Sequence, residues 1–177
     1  MKIEVEVPNG QKADWVNGVL TLVPVQDTRP VMERIKTFED AVKDKGLTEA
    51  DLWWLNDERV PGHIKALWKL EIIADALNEG WDKQQTDGET VYYPWHFLYT
   101  KSELENMSKK EQKERCMLNI EGMFRGDLCG FGCAYTYSAP SSTYADVGSR
   151  LCLKTRELAT YHGQQFIALW AEYRLMK

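Results

Sequence analysis

The run "PGHIKALWKLEIIADALNEGW", residues 61–81, constrains the fold most. Leu67, Leu70, Ile73 with Ala74, and Leu77 recur at helical spacing, while Lys65, Lys69, Glu71, Asp75 and Glu79 take the opposite side. Pro61 suits a first helical turn, Gly80 suits the left-handed residue that stops a helix, and Trp81 can fold back on the last turn. The spacing predicts a helix over 61–79. A helix with one apolar stripe must bury it against another layer, so the remaining sequence has to supply that layer.

Alternation supplies strands. Ile3, Val5 and Val7 share one face with Glu4 and Glu6 on the other, and a second strand follows around 19–23 behind an Asn17-Gly18 turn. "TVYYPWHFLY" places Tyr93, Trp95, Phe97 and Tyr99 on one face and Tyr92, His96 and Leu98 on the other, with Pro94 marking an edge or a bulge. Further strands are expected around 131–139 and 150–154, joined by the hydroxyl-rich "SAPSSTYADVGS". Between them lie helices. One runs from Val31 through Ile35, Phe38 and Val42 to Gly46, and a short one opens at Leu47-Thr48, with Asp51 and Leu52 completing its start. Another spans 101–124 with Ser102 and Glu105 in capping positions. The last is capped by Thr155 and packs through Leu158, Phe166, Leu169 and Tyr173. This order predicts an α+β fold: one antiparallel sheet of about five strands with two long helices on one face. Residues 1–177 read as a single domain, with a hairpin and short helices before 60 and a charged helical insert at about 101–125.

Composition narrows the function classes. A hydrophobic fraction of 44% with 28% charged residues is that of a globular chain. A net charge of −5 opposes a role in gripping a nucleic-acid backbone, which needs a basic face. The opening "MKIEVEVPNG" has no apolar signal region and no stretch is long enough to span a bilayer. The expectation is a cytoplasmic protein without a membrane partner, whose four cysteines stay reduced.

Those cysteines include the pair in "CGFGC", where Cys129, Phe131 and Cys133 would share one face of a strand. Zinc knuckles need such pairs twice over, but Cys116 and Cys152 stand alone, and no helix follows Gly132 to make a phosphate cradle. Buried free thiols are the reading the context favours, with Gly130 and Gly132 letting something large pack over the strand. His63, His96 and His162 are too scattered for a metal triad, and His162 beside Gly163 reads as a core histidine packed against a close neighbour. Glu71, Asp75 and Glu79 line one helix face, which suits a solvated surface or, less simply, a divalent metal. No nucleophile elbow, zincin helix or P-loop is present, and no cofactor is expected.

One constellation carries a ligand hypothesis. "GSRLCLKTRE" places Arg150 and Lys154 on one face of the expected last strand and Arg156 in the first turn of the last helix. Ser149 and Tyr144 add hydroxyls, and Tyr135 and Tyr137 add flat rings, together a candidate site for a small anionic, nucleotide-like ligand. The same charges would also serve as a strand edge that resists aggregation.

In "KLEIIADALNEGW", "YYPWHF" and "VGSRLCLKTRELATYHGQQF" the chain resembles a family of short proteins encoded by phages and prophages of gut bacteria. The resemblance implies a phage context in the host-cell cytoplasm and carries over no catalytic residue. Three functions follow as expectations. The first is a non-enzymatic binding protein that sequesters a small anionic signal or a host factor during infection, in the manner of a counter-defence protein. The second is a virion or assembly accessory protein, and the third a metal-dependent hydrolase built on Glu71, Asp75 and Glu79. The many aromatic residues leave room for a homo-oligomer.

Overall fold

In the computed structural model, which describes residues 6–7, 11–24, 27–81, 90–123, 126–140 and 149–175, the chain divides into two units, residues 1–30 and 31–177. In the first, Asn17 and Gly18 take left-handed backbone angles, φ 51° and 79°, and turn β1 (Gln11–Val16) directly into β2 (Val19–Pro24). This two-residue turn twists with the strands it joins, which is why Asn-Gly marks it so clearly. The register runs from Val16↔Val19 out to Gln11↔Pro24. Ile3 and Val5 of the expected first strand lie outside the described residues, and Glu6 and Val7 form no strand.

The second unit opens on two short helices where the spacing predicts one. α1 (Val31–Arg34) ends, and Thr37 starts α2 (Phe38–Asp44) by accepting the Asp40 amide while the Asp40 carboxylate accepts the amide of Thr37. This reciprocal cap restarts the helix, yet Val31, Ile35 and Phe38 still reach the core. The start at Thr48 also pairs, its amide and hydroxyl both donating to Asp51. Here it leads only to a 3₁₀ turn, Trp53–Leu55, that buries Trp54.

α3 (Gly62–Leu77) follows the expected stripe, burying Leu70, Ile73, Ala74 and Leu77. Left-handed Glu79 and Gly80 stop it, and the Trp81 amide returns to the Asn78 carbonyl. β3 (Thr90–Thr100) pairs antiparallel with β5 (Leu128–Pro140), and the two-residue β4 (Leu118–Asn119) pairs with the other edge of β5. A bulge between Trp95 and His96 interrupts the alternation. Tyr93 and Tyr99 are therefore buried with His96, while Phe97 of the expected aromatic face is exposed.

Residues 101–124 are not one helix. Thr100, rather than Ser102, caps α4 (Lys101–Asn106) with Glu103, and Ser108 caps α5 (Lys109–Glu114). Cys116 at φ 50° ends the helical run, and behind it Leu118 and Asn119 form β4 while Ile120 is buried in the core. The expected strand at 150–154 is instead a 3₁₀ turn, Ser149–Leu151, followed by a single bridge between Leu153 and Tyr92. Leu151, Cys152 and Leu153 are all buried, so no alternating face forms there.

Thr155 caps α6 (Arg156–Gln165) by accepting the Leu158 amide, and a non-helical Phe166 separates it from α7 (Ile167–Arg174). α6 lies across β3 and β5, and α7 packs against α3. Trp170, Phe131, Leu153 and Leu158 join the α3 stripe in one core. The class is α+β as expected, but the strands form a three-stranded sheet in the second unit and a separate two-stranded hairpin in the first. Among the described residues, no helix is long and apolar enough to cross a membrane.

Candidate functional site

Of the cations of the ligand hypothesis, Lys154 lies at the C-terminal end of α3, where Asn78 organises the chain. Asn78 is 1% exposed; its Nδ2 donates to the Cys152 carbonyl at 2.9 Å and its Oδ1 accepts the Lys154 amide at 3.0 Å. The Lys154 ammonium then reaches the Asn78 carbonyl and Glu79 Oε2, both at 3.2 Å, a placement the negative end of the helix dipole favours. Glu79 also accepts from Arg34 at 2.7 Å, and Arg34 pairs with Asp44, so the charges form a chain Asp44–Arg34–Glu79–Lys154. Arg150 stands 3.6 Å from Glu71, with its side chain 77% exposed. Arg156, in the first turn of α6, lies over the Tyr92 ring at 5.9 Å.

Lys154 at the end of α3 and Arg150 beside its middle therefore each face a carboxylate, and Arg156 faces an aromatic ring. Tyr135 and Tyr137 lie in β5 opposite Trp95 and Tyr93. Their side chains, the whole of Tyr144 and the Ser149 side chain lie outside the described residues. Glu71 and Glu79 of the carboxylate stripe serve as partners for Arg150, Arg34 and Lys154. Among the described residues, no three histidine, cysteine, aspartate or glutamate side chains come together as metal ligands.

"CGFGC" is resolved by its two faces. Phe131 and Cys133 are buried, while Gly130 and Gly132 turn toward the insert. A Cβ on Gly132 would lie 2.9 Å from Met117 Cε, and one on Gly130 would lie 3.0 Å from both Met117 Sδ and Leu104 Cδ1. The glycines admit the α4–α5 insert over the sheet. No disulfide joins the four cysteines, and burial pushes the Cys133 thiol up to about 11, far from a thiolate nucleophile.

The histidines divide similarly. His162 is fully buried, edge-on to Trp170. His96 stacks on Phe131 at 4.9 Å and donates from Nε2 to the Gly163 carbonyl at 3.2 Å, the only role a carbonyl partner allows. His63, by contrast, is exposed and lines a cleft of about 700 Å³ with residues from the start of α3, from β4 and from α7. Leu118, Ile120, Met123, Ala171 and Leu175 give the cleft a largely apolar lining, to which Asn119 and Glu172 add polar side chains. No periodic signal announces it, because its residues come from three elements that are remote in sequence.

Comparison with protein-family models, curated proteins and solved structures finds no match to this chain.

Proposed function

We propose that the chain is a non-enzymatic, phage-encoded binding protein that holds a host protein during infection, as a counter-defence factor would. The cleft at β4 and α7 carries this reading: its apolar wall suits an anchoring side chain of a protein partner better than a small anion. The alternative of a nucleotide-like ligand draws less support, because Lys154 and Arg150 already face Glu79 and Glu71. The phage context rests on the three sequence stretches quoted above.

The test is photo-crosslinking from position 123 in infected cells, followed by binding of the recovered partner in purified form. Met123→Glu is expected to weaken that binding at least tenfold while the circular-dichroism spectrum stays that of the folded chain. Full affinity in Met123→Glu removes the cleft from the reading. A nucleotide retained by the untreated protein in native mass spectrometry, and lost in Lys154→Met, replaces the host protein with a small ligand. A virion accessory role is the second reading, favoured by α4 and α5, neither of which buries a residue. Abundant recovery of the chain from purified particles would decide for it.

A further inference from the structure

We infer that two copies of this chain join edge to edge through β1, centred on Ala13, into a four-stranded sheet β2–β1–β1–β2. The hairpin has the ingredients of such a pairing. Among the described residues its sheet contains β1 and β2 alone, and a two-stranded ribbon gains stability from each added strand. One face carries Ala13, Trp15, Leu20 and Leu22, with Trp15 70% exposed and Leu20 47%.

The two edges are not equivalent. Val16 and Val19 flank a two-residue turn and so form a hydrogen-bonded pair, which alternates along the ladder to Asp14↔Thr21 and Lys12↔Val23. The backbone groups of Gln11, Ala13 and Trp15 therefore point away from β2; indeed the Trp15 amide bonds to Asp14 Oδ1 at 2.9 Å instead of to the ladder. On β2 the outward positions are Leu20, Leu22 and Pro24, and Pro24 has no N–H to offer. β1 is the edge that can accept a strand along its length.

Charge then selects the register. A two-fold antiparallel pairing centred on Ala13 sets Ala13 opposite the second copy's Ala13 and Gln11 opposite its Trp15. Lys12 then falls opposite the second copy's Asp14, and Asp14 opposite its Lys12, in the closely spaced non-hydrogen-bonded positions. Shifting by two residues in one direction sets Lys12 against Lys12, and in the other Asp14 against Asp14. Within one chain Lys12 and Asp14 already pair at 3.0 Å with both side chains about half exposed, so the pairing exchanges partners and adds a backbone ladder. Each Trp15 also reaches the second copy's Ala13 diagonally, where a small residue leaves space for the indole.

The experiment measures the mass of the full chain in solution by sedimentation across a concentration series. The wild type is expected to approach twice the chain mass as concentration rises. Ala13→Pro removes an outward N–H without touching the ladder to β2 and is expected to stay monomeric. Lys12→Asp sets like charges opposite one another and is expected to raise the dimer dissociation constant at least tenfold. The exchange Lys12→Asp with Asp14→Lys restores the opposite-charge register and is expected to recover the dimer. A wild type that stays monomeric up to millimolar concentration overturns the proposal, as does a dimer that survives Ala13→Pro or is not recovered by the charge exchange. Circular dichroism melts of each variant show that residues 31–177 remain folded, so loss of the dimer is not loss of the protein.

Discussion

His96 Nε2 lies 3.2 Å from the carbonyl oxygen of Gly163, joining the bulge of β3 to the last turn of α6. Burial first, and the nearby Arg174 charge to a smaller degree, lower the imidazole from 6.5 to about 4, while the Gly163 carbonyl works in the opposite direction. The folded state therefore holds His96 neutral. Above pH 6.5 both states are neutral and the stability is intact. As pH falls from 6.5 to 4 the unfolded chain takes up a proton that the folded chain refuses, and stability drops by on the order of 3 kcal/mol. His96→Gln keeps a donor for Gly163 and is expected to flatten this window in thermal melts; an unchanged slope would assign the proton to another group.

Gly163→Ala is expected to destabilise, although alanine favours a helix over glycine by about 1 kcal/mol. The new Cβ would meet Pro94 Cβ at 2.4 Å and Cys133 Sγ at 3.0 Å, and a rigid ring on a sheet cannot yield as a flexible chain can. Overpacking of this kind costs about 1–3 kcal/mol, so urea midpoints should fall. A rise would mean that α6 can lift off β3 freely.

Gly132→Ala faces a softer obstacle. Its Cβ would meet Met117 Cε at 2.9 Å, which can swing away, and the Arg115 carbonyl at 3.3 Å, which is held by the Cys133 amide. A loss of about 1 kcal/mol is expected, and Met117→Ala in the same chain should return part of it. Strict additivity of the two changes in denaturation would contradict the contact.

Asn78→Ala leaves the Cys152 carbonyl and the Lys154 amide without their buried partner. The expected cost is about 2–4 kcal/mol. Glu79→Gln next to it should cost less than about 1 kcal/mol and nothing at high salt, because its ion pairs are solvent-exposed. Equal costs for the two changes would overturn this ordering.

The contrast between those last two residues also explains what the sequence made legible. The stripe of α3, the Thr155 cap, the Asn17-Gly18 turn and the close packing at Gly163 and Gly132 are local matters of spacing or shape, and each was readable. The strand expected at 150–154 failed because Leu151, Cys152 and Leu153 all face inward, and the helix expected at 101–124 failed because caps at Thr100 and Ser108 and left-handed Cys116 cut it. The cation cluster was legible as sequence neighbours only. That Lys154 meets Glu79, 75 positions away, is decided by the tertiary path through Asn78, and no local pattern records it.

That path has a consequence for synthesis. A ribosome that has released everything through Pro140 has delivered α3 and both long strands, but the Asn78 amide still lacks Cys152 and Lys154. The nascent α3 must wait with its end open to water until Cys152 and Lys154 emerge. Chains stopped short of that point are natural clients for chaperones and proteases.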